Sequence, residues 1–361
     1  MTSCPATQTI PAMDRMLSPI GGPPAWRGRE LEHRGFWPRK FLGLEIEALD
    51  EALARATAAP PALRAQGFAI PALRPLLETL ARELETGAGV IRLSGLPVER
   101  YTHAQLRTLF WGFCANLGQP LPQNTTGEFI GEVKDEGAAA LSIENGIPSA
   151  RARSRSTGPL RFHTDKCDLL ALLCASNGIS GGVSRVVSTI AIHDEFTRRR
   201  PDLLEILYCD FWRKRPADEE GPQSRPEDAV FPMPVFSRGP TGAFTSQYSR
   251  TYVEMAAAFP GVPPLTPAQI EAMDLLAQLA DELCIEAPFN PGDIQILNQH
   301  TTYHGRTAYA DGEAGRRVLM RIWIAPPFSR ALPEGHRVQW GSVAPGALRG
   351  GAMPGQSAFP G

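Results

Sequence analysis

Apolar residues follow two different rhythms along this chain. From Leu44 to Ala56 and from Pro71 to Glu85 they recur at helical spacing among Arg and Glu, which predicts two amphipathic helices. Thr86-Gly-Ala-Gly-Val-Ile-Arg-Leu-Ser-Gly95 breaks that pattern: glycines bracket a short apolar run, the mark of a buried strand. Thr102 to Gly118 returns to helix. There Leu106, Leu109, Phe110 and Phe113 form one stripe, with Thr102 placed to cap it and Gly118 to end it. Between about 128 and 192, the short runs Phe129-Ile130, Leu170 to Cys174 and Val186 to Ile192 alternate with turn residues. A helix is predicted from Asp202 to Tyr208. A longer one starts at Thr266-Pro267-Ala268-Gln269, a capping box with Pro at the first helical position, and runs into Ile270, Met273, Ala277 and Ala280. Asp293 to Leu297 and Val318 to Ile324 read as strands. The expected architecture is mixed α/β: a mainly β core of many short strands, flanked by helices, in one catalytic domain without internal repeats.

Composition narrows the function classes. Lys plus Arg is 36 and Asp plus Glu is 38, a net charge of −2. This balance lacks the broad basic footprint of a nucleic-acid or anionic-membrane binder. No run approaches the roughly 18 apolar residues of a membrane span. The opening Met1-Thr-Ser-Cys-Pro5 has no basic segment followed by an apolar core, so no secretory signal is read. The six cysteines include no CxxC pair, and several sit in apolar surroundings, as reduced core thiols of a cytoplasmic protein would. Gly and Pro, 34 each, carry no period and indicate many turns. The run Gly350-Gly-Ala-Met-Pro-Gly355 reads as a frayed tail. The expected partner is a small-molecule substrate, with self-association left open.

With seven histidines in the chain, each can be weighed. His163-Thr164-Asp165 ends a strand-like segment, where alternation would put the imidazole and the carboxylate on one wall. Alone, the triplet reads more readily as a core histidine beside a turn aspartate. His304 lies in Asn298-Gln-His-Thr-Thr-Tyr-His-Gly-Arg306, read as a loop after the Ile294 to Leu297 strand. Two histidines and one carboxylate form the facial triad of non-haem Fe(II) oxygenases, which leaves coordination positions open for cosubstrate and oxygen. Arg317 opens the next strand, and Arg317, Leu319 and Arg321 share one face. Two guanidinium groups on an apolar strand require anionic partners, and a dicarboxylate can supply one. His300 is read as structural. His193 is read as a surface or capping residue, and His33, His103 and His336 as solvated. Arg198-Arg-Arg200 reads as a solvent face, and Arg151 to Arg155 as a loop beside the site.

Together Phe162-His-Thr-Asp165, Gly181-Gly-Val-Ser184, Asp293 to Asn298 leading to His304, and Arg317-Val-Leu-Met-Arg321 make the chain resemble the taurine/2,4-dichlorophenoxyacetate dioxygenase family. These enzymes are Fe(II)- and 2-oxoglutarate-dependent oxygenases. The similarity runs from about Gly87 to Pro333 and implies a double-stranded β-helix, or jelly roll. It implies that His163, Asp165 and His304 bind iron, and that Arg317 holds the distal carboxylate of 2-oxoglutarate with help from Ser184. It implies that Arg321 reaches toward the substrate, and that Gln123, Asn124, Glu144 and Asn145 lie in loops where members place substrate contacts. Val183 stands where Asp is common, and Ser184 where Thr is usual.

The expected reaction consumes 2-oxoglutarate and O2, oxidises an unactivated C–H bond of a small polar or anionic molecule, such as an amino acid or other organic acid, and releases succinate and CO2. Residues 1–85 are expected to form a helical cover, 86–333 the oxygenase domain and 334–361 a C-terminal tail. Two other readings use the same residues: a metal-dependent hydrolase, in which the triad activates water, and a non-catalytic jelly-roll binding module. Arg317 separates the first from an oxygenase, since a hydrolase needs no cationic anchor there.

Overall fold

A computed structural model describes residues 16–34, 36–137, 143–144, 147–148, 154–216 and 229–352. In chain order its main elements are β1 (Arg39–Lys40), α1 (Gly43–Arg55), α2 (Arg74–Glu85), β2 (Val90–Ser94), α3 (His103–Ala115), β3 (Gln119–Leu121), β4 (Ile130–Val133), β5 (Leu160–His163) and β6 (Leu169–Ser176). There follow β7 (Ser184–Ser188), α4 (Thr189–Arg199), α5 (Pro201–Leu207), α6 (Arg250–Ala257), α7 (Pro267–Leu283), β8 (Ile285–Ala287), β9 (Ile294–Asn298), β10 (Thr302–Arg306) and β11 (Val318–Ala325).

Two sheets form the jelly roll. The larger has seven strands in the order β1-β2-β9-β6-β11-β3, with β4 also pairing β11. The smaller has four, β8-β7-β10-β5. Side-chain alternation assigns each large-sheet residue to a layer. On β6, Leu169, Ala171 and Leu173 face outward against α1, α2 and α3, joined by Ile294, Ile296, Met320, Ile322 and Ile324. Leu170, Leu172 and Cys174 face inward, with Leu297, Leu319 and Trp323, and meet Val186 and Ile285 of the smaller sheet. The outer side of that sheet, with Val187 and Tyr303, is covered by α4, α5 and α7. Helices α1 and α2 pack on one sheet face, and Trp26 and Leu31 belong to the inter-sheet core. Trp26 Nε1 donates to Ala88 O at 2.8 Å.

Some local expectations differ. α3 ends at Ala115, and Gly118 serves a close approach: a Cβ there would sit 2.6 Å from Ala325 O. On α7 the buried stripe runs through Ala272, Met273, Leu276, Leu279, Ala280 and Leu283, leaving Ile270 exposed. The run Val186 to Ile192 divides at Ser188, whose hydroxyl caps α4 by accepting from Ala191 N. His193 therefore lies inside α4, fully buried against Tyr208 Oη and Met16 O. His336 is also buried, on Ser237 Oγ. These residues sit in polar sequence contexts, and tertiary packing overrode that signal.

The C-terminal segment is anchored rather than frayed as far as Ala352. Trp340 is buried against the His300 ring, with centroids 5.1 Å apart. Arg349, fully buried, donates through Nη2 at 2.6 Å and Nε at 3.0 Å to Asp168 Oδ1. Gly350 takes φ +77, and a Cβ there would meet Lys166 O at 2.6 Å, so only glycine fits. Gly351 N donates to Lys166 O at 2.8 Å. Removing one partner of a buried ion pair leaves an uncompensated charge. Arg349→Met is therefore expected to cost about 3 kcal/mol of unfolding free energy, read by urea denaturation.

Buried histidines set an acid limit on stability. Burial lowers the pKa of His300 to about 4 and that of His336 to about 3, despite Asp168 beside His300. Their unfolded values lie near 6.5, so between about pH 6.5 and 4 the unfolded chain binds protons that the folded one refuses. Stability should be flat above pH 7 and fall as pH drops through that window. His336→Gln should make the decline shallower in thermal melts from pH 7.5 to 4.5.

Candidate active site

The two histidines meet across a strand pair. β10 runs antiparallel to β5 with His304 opposite His163, and their rings lie 4.2 Å apart, centroid to centroid. His304 is therefore a strand residue, not a loop residue. His163 shares its Nδ1 with Arg161 O at 2.9 Å, which turns Nε2 toward Asp165 Oδ1, 3.7 Å away.

β5 ends at His163, so strand alternation does not place Asp165. A clamp does. Thr164 N donates to Tyr248 O at 2.9 Å, and Tyr248 N donates to Thr164 Oγ1 at 3.1 Å. Asp165 N donates to the side-chain oxygen of Gln299 at 2.7 Å. The Asp165 carboxylate accepts from Trp323 Nε1 at 2.9 Å and from Arg321 Nη1 at 3.4 Å.

His163, Asp165 and His304 offer ligand atoms within 4.8 Å of one another, the one such group among the described residues. All three are buried. Burial, reinforced by His163, pushes the His304 pKa down to about 3, so its imidazole is neutral. Its Nδ1 is buried without a hydrogen-bond partner. Burial raises the Asp165 pKa, but Arg321, the two histidines and Trp323 outweigh it and hold the carboxyl below its usual range. A neutral His304 imidazole and an ionised Asp165 carboxylate are protonation states that suit a divalent metal.

Two adjoining cavities open on this cluster. The inner one is lined by His163, His304, Ser184, Arg306, Arg317 and Arg321, among others. Arg317 is 3% exposed, and its Nη1 is buried without a partner. Burial lowers its pKa. Its guanidinium stacks on Tyr309, 5.1 Å from the ring centroid, and a Cβ on Gly182 would stand 2.7 Å from Arg317 Nε. Ser184, facing inward on β7, exchanges hydrogen bonds with the Gln295 side chain at 3.1 and 3.3 Å. The site can thus receive a dicarboxylate: an unpaired cation at one end and metal donors at the other.

The outer cavity is lined by Gln123, Asp165, Lys166, Arg213, Lys214 and Tyr248, among others. Gln123 is buried, accepts from Arg321 Nε at 2.7 Å and donates to Arg321 O at 2.8 Å. It positions Arg321, and Arg321 in turn is engaged by Asp165. Asn124 bonds the Glu128 carboxylate at 2.9 Å within its own loop. Asn145 and the arginines at 151 and 153 lie outside the described residues, and of Glu144 only its place in a short strand, Ile143–Glu144, is described. His300 bridges Asp168 and Thr245, both at 2.8 Å, a structural placement.

The sequence reading missed Arg306, Trp323 and Gln299. Arg306 is buried, and its guanidinium carbon lies 4.7 Å from the Tyr309 centroid. Had residues 302–306 been read as a strand, alternation would have put Arg306 on the His304 face. Trp323 likewise follows Arg321 by two.

A family model described as "Taurine catabolism dioxygenase TauD, TfdA family" matches residues 55–323. The FR-33289 synthase of Streptomyces rubellomurinus is 27% identical over 355 residues, covering 91% of this chain and 97% of that protein. A solved asparagine oxygenase in complex with Fe(II), 2S,3S-3-hydroxyasparagine and succinate superposes with a TM-score of 0.60 at 19% identity, covering 79% of this chain and 92% of its own. The non-heme iron oxygenase OrfP in complex with Fe and alpha-ketoglutaric acid gives 0.56 at 15% identity, covering 79% and 93%. These matches account for the jelly roll and for the metal-competent cluster between its sheets, and the chain belongs to the TauD, TfdA family of Fe(II)- and 2-oxoglutarate-dependent oxygenases.

Proposed function

We propose that His163, Asp165 and His304 hold Fe(II), that Arg317 and Ser184 receive the distal carboxylate of 2-oxoglutarate, and that the outer cavity takes a small anionic substrate for C–H oxidation. The single observation carrying this reading is Arg317, a buried guanidinium with Nη1 unpartnered in a cavity shared with His163 and His304. A hydrolase has no use for such a cation. With the protonation states described above, the residues fit both groups.

Fe(II) and 2-oxoglutarate held by these residues would supply the oxidising chemistry for the C–H bond. The protein's own groups set geometry and exclude water. The Arg161 carbonyl fixes the His163 ring, and Trp323 and Arg321 hold Asp165 ionised in one orientation. Arg317 supplies a charge-assisted contact in a low-dielectric cavity, where it is stronger than in water.

The substrate class rests on charge. The described lining of the outer cavity includes Lys166, Arg213, Lys214 and Arg321 against one carboxylate, Asp165. We assign the catalytic machinery to residues 86–333, with 1–85 as cover. No helix among the described residues is long and apolar enough to cross a membrane. The free thiols of Cys114, Cys167, Cys174, Cys209 and Cys284 support a reducing, cytoplasmic setting. The test is succinate release under Fe(II), 2-oxoglutarate and O2 against a panel of organic acids, with mass analysis of products. A product heavier by one oxygen, or lighter by two hydrogens, formed in step with succinate is the expected result. Turnover of the panel by hydrolysis, with no succinate, would refute it.

A further inference from the structure

We propose that Arg213 seats the anionic group of the substrate, an oxyanion of the carboxylate, sulfonate or phosphonate class, in the outer cavity. This inference rests on the proposed function and names a residue that neither the motifs nor the comparisons assign. Arg213 lies on the strand Asp210–Lys214, opposite Phe231 of Val230–Pro234. It is 5% exposed and lines the cavity that His163, Asp165 and Arg321 share. Among the described residues its side chain makes one hydrogen bond, Nη2 to Pro234 O at 2.8 Å. Its Nε is buried without a partner.

Among the described residues Arg213 is the buried arginine of the outer cavity, while Arg306, also buried, lies with Arg317 in the inner one. Arg92 pairs with Asp293 at 2.7 Å, and Arg349 with Asp168 at 2.6 Å. The half-buried Arg321 lies 3.4 Å from Asp165. Arg317 and Arg213 line the cavities without an ion pair, one on each side of His163. A buried guanidinium lacking a counter-ion is costly to the fold, and an anionic ligand relieves that cost. Arg317 has such a ligand in 2-oxoglutarate. Arg213 requires another.

Burial lowers the Arg213 pKa to about 10, which leaves it charged at neutral pH. Tyr248 lines the same cavity, and its buried hydroxyl also lacks a partner, so a phenolic O–H can join the guanidinium on one oxyanion. Asp165, the one carboxylate in the described lining, is engaged by Trp323 and Arg321. The described lining therefore offers an incoming anion more complementary charge than it offers an incoming cation.

The test uses the full-length enzyme loaded with Fe(II) and saturating 2-oxoglutarate under argon, titrated with acetate, methanesulfonate and methylphosphonate by calorimetry. Saturating 2-oxoglutarate occupies the Arg317 end, so the heat reports the outer cavity. Visible absorption of the Fe(II)–2-oxoglutarate complex is read in parallel. At least one anion should bind the wild type saturably, at least tenfold more weakly in Arg213→Gln, and within a few-fold of wild type in Arg213→Lys. If the absorption forms in wild type and Arg213→Gln alike but anion affinity is the same, the assignment of Arg213 fails while the oxygenase reading stands. If no absorption forms in the wild type, that reading fails first. Should Arg213→Gln lose the absorption by misfolding, a crystal structure of the wild type with methylphosphonate decides. An oxyanion on the Arg213 guanidinium supports the assignment, and an anion on Arg321 alone, or none, overturns it.

Discussion

His304→Ala protein is expected to fold, to bind Fe(II) at least about 100-fold more weakly, and to release no succinate. Outer-sphere partners of a metal ligand are typically worth 10- to 100-fold in affinity, so losing a ligand from a three-residue set costs more. The cost falls on the metal and not on the fold. His304 is a neutral imidazole with an unpartnered Nδ1, so its removal strands no hydrogen bond at that nitrogen. His163→Ala and Asp165→Ala should behave alike in metal binding. Asp165→Ala also strands Trp323 Nε1 and Arg321, and should be the least stable of the three. His300→Ala supplies the contrast: it should lower the melting temperature by breaking the bridge between Asp168 and Thr245, while iron affinity changes little. Iron titration with thermal melts separates these outcomes. Iron loss in His300→Ala with full binding in His304→Ala would show that the distal ligand is misassigned.

Arg317→Leu should weaken 2-oxoglutarate binding by about 3–5 kcal/mol, the usual cost of removing one partner from a buried ion pair. This corresponds to roughly 150- to 4,000-fold in affinity. Ser184→Ala should cost about 1 kcal/mol, the value of one neutral hydrogen bond. The stability effect runs the other way. Without cosubstrate, Arg317 is a buried cation in no ion pair among the described residues, and a leucine, though smaller, removes that desolvation cost. The cofactor-free variant should therefore melt at or above the wild-type temperature. A residue whose loss cripples ligand binding and spares the fold is serving the ligand. If Arg317→Leu unfolded the protein and left 2-oxoglutarate affinity intact, the guanidinium would be structural.

Much of this site was readable before any coordinates. The two histidines, the carboxylate and Arg317 lie in short motifs where residue type limits the chemistry, and they line two adjoining cavities that share His163. The strands Ile294 to Leu297 and Val318 to Ile324 were equally plain, because their apolar runs are bounded by turn residues. What escaped was decided by long-range packing. His193 and His336 look polar in sequence and are buried by tertiary contacts. Gly350 looks like loose chain and is a close-packed turn. Gln123 sits where a substrate contact was expected, yet its amide is taken by Arg321 and the Phe129 carbonyl. Arg213 gave no sequence signal, since an arginine on a strand is ordinary until it is seen to line a cavity whose one carboxylate, Asp165, is already engaged.

The Arg349 anchor bears on how the protein matures in a cell. Asp165 sits in a segment held by partners that emerge late in synthesis: Gln299 is 134 residues downstream, Trp323 is 158, and Arg349 lies 181 beyond Asp168. Ribosomes add about 5–20 residues per second, so the carboxylate waits on the order of ten seconds or more for its full set of supports. Contacts of such sequence separation also form slowly once the chain is free. Iron arriving on the nascent chain would meet His163 without His304. On the proposed assignment, the full set of donors and supports around Asp165 is complete only once the chain through Trp323 has emerged.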